Sequence, residues 1–282
     1  MKYTKIRLAG PTNIDLPLKG LDPLGPFVLK SADGLGPTPV DVFIEDTMFA
    51  GGVFQNARPR NRDSTLTVGL QPSWDTGQTS EDLRTMLYSL MTPWFGNFIK
   101  MQIMDGDTVL AEAEGRVRSL EPNLFSKDPE VVIDIGFITP YFWSPGIFGQ
   151  YQQPALTRDA SYTYFTLNNP GTAPVGVVLN MVLPVAHNYS LQLFPEQTSY
   201  GYMTISHNFA AGDMVQIDTR DATRNVSVTP NGGNAVSIVD DLGASSPWLQ
   251  LHPGDNPMKI NDPNMTWPAL FPAVIKPAYL GV

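Results

Sequence analysis

Residues Ile99–Arg118 read IKMQIMDGDTVLAEAEGRVR, and this stretch decides the fold class. Ile99, Met101 and Ile103 alternate with Lys100 and Gln102. Beyond Asp105-Gly106, Val109, Ala111, Ala113 and Val117 alternate with Glu112, Glu114, Arg116 and Arg118. Successive strand side chains point to opposite faces, so a period of two marks strands with one buried and one wet face. Asp-Gly suits the positive φ angles of a tight turn. The stretch therefore predicts an antiparallel hairpin.

The same period recurs on both sides. Leu66, Val68 and Leu70 share a face of Thr65–Leu70, and Val131, Ile133, Ile135 and Phe137 share another. One segment has a helical period: Leu83, Met86, Leu87, Leu90 and Met91 form a single stripe. Thr79 or Ser80 can cap it, Glu81 and Asp82 suit its first turn, and Pro93 stops it. Its methionines fit either packing on a sheet or a docking groove. Further strands are expected at Val177–Leu183, Ser190–Phe194, Tyr202–Ser206, Met214–Thr219, Asn225–Thr229, Ala235–Val239 and Trp248–His252, with Gly-rich turns between them. This spacing predicts a second β-sandwich.

At 282 residues the chain is long enough for two domains. The segment ITPYFWSPG at 138–146 breaks the alternation and marks the expected junction, with domains over 1–143 and 144–282. Pro140, Tyr141, Phe142, Trp143 and Pro145 read either as a stiff interdomain connection or as a loop with buried rings. The 26 prolines are spread from Pro11 to Pro277 and favour short strands and ordered loops over helices.

Charged residues make up 16% of the chain, against roughly a quarter in ordinary soluble proteins, which hints at surface covered by partner subunits. The net charge of −9 argues against an electrostatic grip on nucleic acid, although an acidic wall would let DNA pass. With no cysteine there is no disulfide, thiolate metal site or cysteine nucleophile. No signal peptide or membrane insertion is expected: Gly10, Pro11 and Asn13 interrupt the start, and the longest apolar run, Pro174–Ala186, contains Asn180 and Pro184.

Catalytic patterns are sparse. His187, His207 and His252 are far apart without second ligands at metal spacing, and Asp105-Gly-Asp107 lacks the further oxygens that calcium needs. Asp213, Asp218, Asp221, Asp240 and Asp241 could serve as paired acids only in a cleft, and solvated turns explain them as well. No phosphate loop, dinucleotide fingerprint or nucleophile elbow occurs, and no cofactor is expected. The sequons at Asn188, Asn225 and Asn264 read as chance matches. Arg58, Arg60 and Arg62 stand on an irregular stretch before a strand, as a nucleic-acid patch, against which the acidic whole argues, a subunit-interface ion-pair site or a solvated loop.

Taken in order, GLGP at 34–37, Arg62 before the Thr65–Leu70 strand, the helix near Leu83–Met91 and TPYF at 139–142 form a series. It continues with NPGTAP at 169–174, Gly212-Asp213, Ile217-Asp218-Thr219 and LHPGDN at 251–256. The series resembles the distal tail protein (Dit) family of long-tailed, siphovirus-type bacteriophages, often labelled minor tail proteins. Residues 262–282 match it poorly.

The resemblance implies a mainly β chain. Its N-terminal part would be a tail-tube-like β-sandwich or split barrel with one α-helix, and its C-terminal part a galectin-like, carbohydrate-module-like β-sandwich. It further implies a non-enzymatic homo-hexameric ring in the virion tail tip or baseplate hub, made in the host cytoplasm. Such a ring would join the tail tube protein to the tail-associated tip protein, near the tape measure protein, with DNA only in transit. Two other readings stay open. One is a carbohydrate-binding module that holds host-surface glycan on Tyr162, Tyr164, Tyr200, Tyr202 and Trp248; the other is a β-sandwich glycoside hydrolase using a carboxylate such as Asp218.

Overall fold

A computed structural model describes residues 3–10, 13–18, 25–46, 52–91, 98–123, 129–146, 150–158, 162–184, 186, 190–195, 202–261, 269–270 and 272–282. Pro93, His187, Asn188, Tyr200 and Asn264 lie outside them. The chain is mainly β and divides into two units. Met1–Pro145 with Tyr279–Val282 form the first, and Gly146–Ala278 the second. The division falls two residues after the expected one, and the last four residues rejoin the first unit.

In the first unit the strands are β1 (Lys5–Ala9), β2 (Ile14–Pro17), β3 (Phe27–Asp33), β4 (Val40–Asp46), β5 (Gly52–Pro59) and β6 (Asp63–Leu70). After helix α1 (Ser80–Met91) come β7 (Ile99–Asp105), β8 (Thr108–Pro122), β9 (Glu130–Phe137) and β10 (Phe142–Trp143). The predicted hairpin is β7–β8. It turns at Gly106, whose φ of 57° is the left-handed conformation that glycine supplies.

One sheet runs β2-β1-β7-β8-β9-β6-β3. Its ends approach each other, since Leu18 just after β2 bridges Leu29 of β3, which gives a split barrel. Ile6, Leu8, Leu66, Val68, Met101, Ile103, Val131 and Ile133 fill its interior, and α1 adds Leu83, Leu87 and Met91. The helix therefore packs on the sheet, with Met86 left outside at 44% exposure. Its start is a reciprocal cap: the Asp82 amide donates to Thr79 Oγ1, and the Thr79 amide donates to the Asp82 carboxylate.

The second unit contains β11 (Gln150–Gln152), β12 (Thr157–Arg158), β13 (Tyr162–Asn169), β14 (Val177–Val182), β15 (Ser190–Pro195) and β16 (Met203–Ser206). They are followed by β17 (Met214–Asp218), β18 (Asn225–Thr229), β19 (Val236–Ser237), β20 (Gly254–Asn261), β21 (Ala269–Leu270) and β22 (Ala273–Ile275). One antiparallel sheet runs β11-β22-β14-β17-β18-β19 with β21 beside β14; the other runs β12-β13-β20-β15-β16. Val177, Leu179, Met181, Val215 and Ile217 from the first sheet are buried, as are Phe165, Leu167, Met258 and Ile260 from the second. This is the sandwich that the alternation predicts.

Two expected strands differ. Trp248–His252 makes only a bridge, Leu251 to Val175, because Asn256 clamps the following turn through the His252 amide and carbonyl. Ala235–Val239 yields only β19 before a tight turn at Val239–Asp241.

Candidate assembly surface

Strands β4 and β5 stand apart as a two-stranded sheet. Their register pairs Val40 with Pro59, Asp41 with Arg58, Val42 with Ala57, Phe43 with Asn56 and Ile44 with Phe54. A register shift between Phe43 and Ile44 leaves Gln55 as the extra residue of a β-bulge. Directly paired residues share a face, so Val40, Val42, Ile44, Phe54, Ala57 and Pro59 line one side. Asp41, Phe43, Glu45, Asn56 and Arg58 line the other.

The apolar side is uncovered in the single chain: Val40 is 52% exposed, Val42 55%, Ile44 61% and Phe54 62%. Covering each of these half-exposed side chains would stabilise by about 1 kcal/mol. A lone two-stranded hairpin is marginal in water, and among the described residues both its strands are sheet edges. This geometry invites a partner.

The charged side carries two of the three arginines singled out above. Arg60 donates to Asp41 at 2.6 Å. Arg58 lies 5.9 Å from the centre of the Phe43 ring and has no ion pair among the described residues. Arg62 departs from the expected interface role. It is fully buried, and its guanidinium donates to the carbonyls of Gly34, Gly36 at 2.7 Å, Pro140 at 3.1 Å and Leu280. Among the described residues no carboxylate pairs with it, and burial pushes its pKa down to about 10. A side chain held in this way cannot face a neighbouring subunit.

The expected junction residues also lie inside the first unit. Phe142 is fully buried and sits 4.3 Å under the Arg62 guanidinium, while Tyr141 and Trp143 meet edge to face at 6.0 Å. Trp143 pairs with Glu112 of β8. The stretch ends where the two units divide, after Pro145, and within it Phe142 is buried while Tyr141 and Trp143 are half-buried. Sequence reading missed the β4–β5 hairpin, although Val40, Val42 and Ile44 against Asp41 and Glu45 carried the signal.

Four of the five carboxylates singled out above, Asp213, Asp218, Asp221 and Asp241, hold polar partners. Asp218 accepts from Arg220 Nη2 at 2.6 Å and from Thr223 Oγ1 at 2.7 Å. Burial opposes its charge, but the bonds from Arg220 and Thr223 prevail and hold its carboxyl below the ordinary range. Asp213 accepts from the Ala210 amide, Asp221 bonds Arg224, and Asp241 bonds His207 at 2.7 Å. Among the described residues no group of acids and histidines could hold a metal ion.

The aromatic residues proposed for sugar binding are dispersed. Tyr162 and Tyr164 neighbour each other on β13 at 5.9 Å, with Lys259 4.8 Å from the Tyr162 ring centre. Tyr202 precedes β16, three strands away, or about 14 Å at the usual strand spacing. Trp248 lies outside both sheets.

These features define a class: a mainly β chain with a split-barrel unit, a sandwich unit and an exposed amphipathic hairpin suited to assembly. Residues 170–268 match the model of the family "Siphovirus-type tail component, C-terminal domain", also labelled SPP1_Dit, and they fall within the second unit. The crystal structure of SPP1 Dit (gp 19.1), described as a paradigm of the hub adsorption apparatus in phages infecting Gram-positive hosts, has the same fold. It is 16% identical, with 98% of this chain and 99% of that one covered at a TM-score of 0.61. A chain of the phage p2 baseplate in its activated conformation with Sr aligns over 98% of this chain and 97% of its own, at 10% identity and a TM-score of 0.41. Comparison with curated proteins finds no match. The resemblance to the Dit family, read from the order of motifs, is borne out by the family match and the shared fold.

Proposed function

We propose that this chain is a non-enzymatic structural subunit of a siphovirus-type tail tip. Copies of it close into a six-membered ring that joins the tail tube to the tip proteins and passes DNA through its lumen. The match of residues 170–268 to the tail-component family carries this reading. The bare apolar side of the β4–β5 hairpin supports it physically, because a ring of heterologous contacts leaves no subunit edge free when the rotation closes. The net charge of −9 suits a passage that must not hold a polyanion. The tail tube, tail-associated and tape measure proteins are the proposed neighbours, and the virion tail tip is the proposed location.

Native mass spectrometry of the purified chain, with light scattering at tens of micromolar, tests the ring. Six-fold mass is the expected result. A chain that stays monomeric at that concentration and occurs as a single copy in the virion overturns it. Against the hydrolase reading stands the bonded state of Asp218; turnover of a polysaccharide that is lost in Asp218→Asn would restore it.

A further inference from the structure

Alternation puts Tyr162, Tyr164, Thr166 and Asn168 on the outer face of β13, because Thr163, Phe165, Leu167 and Asn169 are buried. The register sets Thr157 of β12 beside Tyr164, and Asn261, Lys259 and Pro257 of β20 beside Tyr162, Tyr164 and Thr166. The two tyrosine rings lie 5.9 Å apart and tilt by 53°. Lys259 Nζ lies 4.8 Å from the Tyr162 ring centre, and Asn261 Nδ2 donates to Gln192 Oε1 at 3.1 Å. Rings, hydroxyls, amides and one cation thus share a single face.

This face is not flat, because residues 152–157 raise a wall along its edge. Gln152 fixes the wall: its side chain accepts from the Asn168 amide at 2.9 Å and donates to the Asn168 carbonyl. Pro154, two residues on, is buried. Ala155 and Thr157 on one side and Tyr164, Thr166 and Pro257 on the other line an open cleft of about 380 Å³. Small-ligand sites run from roughly 300 to 1,000 Å³.

The lining selects a ligand by its chemistry. A pyranose ring presents C–H groups on its faces and hydroxyls around its rim. The C–H groups, slightly positive, settle on the negative face of an aromatic ring, as Tyr164 offers. The rim hydroxyls exchange hydrogen bonds with threonine hydroxyls, which donate and accept, as Thr157 and Thr166 offer. An apolar peptide would instead strip water from those two hydroxyls without replacing its bonds.

We propose that the Thr157–Tyr164–Thr166 cleft of the second unit binds a pyranose residue of a glycan, with the Tyr164 ring as its stacking floor. Lys259, beside Tyr164, adds attraction for a sugar that carries a carboxylate. Tyr202 and Trp248 take no part. The site lies within one copy of the chain and is independent of the ring.

Saturation-transfer NMR tests it on the purified full chain, with methyl glucoside, methyl galactoside, N-acetylglucosamine and glucuronate each at about 10 mM. At least one should receive saturation, strongest on its ring C–H protons. Tyr164→Ala should weaken the titrated affinity at least about tenfold, and Tyr164→Phe should stay within about threefold of wild type, since the ring face makes the contact. Thr166→Arg, which fills the cleft from an exposed position, should abolish the signal. Tyr202→Ala should leave it unchanged.

Silence of all four saccharides overturns the proposal. Saturation that survives both Tyr164→Ala and Thr166→Arg also overturns it, because the sugar then sits elsewhere. Native mass spectra of the same samples keep the two proposals apart. A hexamer that ignores every saccharide removes the site and leaves the ring standing, whereas a monomer whose binding depends on Tyr164 establishes the site without the ring.

Discussion

The Arg62 guanidinium lies 4.3 Å from the centre of the Phe142 ring, and both side chains are completely buried. The cation is held by an aromatic face and four backbone carbonyls, with no carboxylate partner among the described residues. It ties together the 34–36 turn, the 140–142 segment and the end of the chain. Arg62→Met should destabilise the first unit by about 2–4 kcal/mol, because the carbonyls lose their donors in a dry site. Thermal unfolding of the purified chain checks this. The folded pKa lies below the unfolded one, so the burial penalty is constant below about pH 10 and eases only above it. The Met variant should therefore show the same deficit from pH 6 to pH 9.

Gly34 sits at φ 79°, and a Cβ there would lie 2.0 Å from the Asp63 carbonyl oxygen. Gly34→Ala should cost more than about 2 kcal/mol, since strain and collision act together. Gly36→Ala, two residues on, meets nothing within 4 Å and serves as the control. Comparable melting curves for the two variants would contradict this account.

The last four residues act within the first unit. The Val282 amide donates to the Leu35 carbonyl at 3.0 Å, Leu280 accepts from Arg62, and Gly281 packs on Gly36. Deleting Tyr279–Val282 should lower the stability of the first unit by about 1–3 kcal/mol and leave the second unchanged. Hydrogen exchange, read separately on β6 and β17 amides, distinguishes this from a global effect.

Asp218 should give the second unit an acid-sensitive contribution. Its carboxyl titrates below 3.8 in the folded chain, so its stabilisation is full above that value and fades as pH falls through the lower folded pKa. Asp218→Asn should cost about 1–3 kcal/mol at pH 7, and the gap to wild type should narrow towards pH 2. Melting temperatures of both proteins across that range measure the convergence.

The hairpin should separate folding from assembly. Phe54→Ser and Ile44→Asn change side chains already more than 60% exposed, so monomer stability should shift by no more than about 0.5 kcal/mol. Ring formation should nonetheless fail. Circular dichroism melts paired with native mass spectra show whether the two properties part.

Much of the sandwich was legible because its strands obey a period of two with glycine turns between them, as in Met214–Asp218 and Asn225–Thr229. Strand β20 was not, since Pro253-Gly254-Asp255-Asn256 reads as a turn. It exists because its pairing with all eight residues of β13 outweighs local preference. The hairpin β4–β5 escaped notice because prolines at 37, 39 and 59 surround its alternation.

Alone, the sequence determined the strand period, the single capped helix and the tight turns, because these depend on neighbours a few residues apart. Folding in three dimensions decided the rest. It placed Arg62 inside and Arg58 outside, though four positions separate them, and it left an apolar hairpin side bare. Burial depends on which distant strands come to lie overhead, and alternation cannot say whether the covering layer belongs to the same chain.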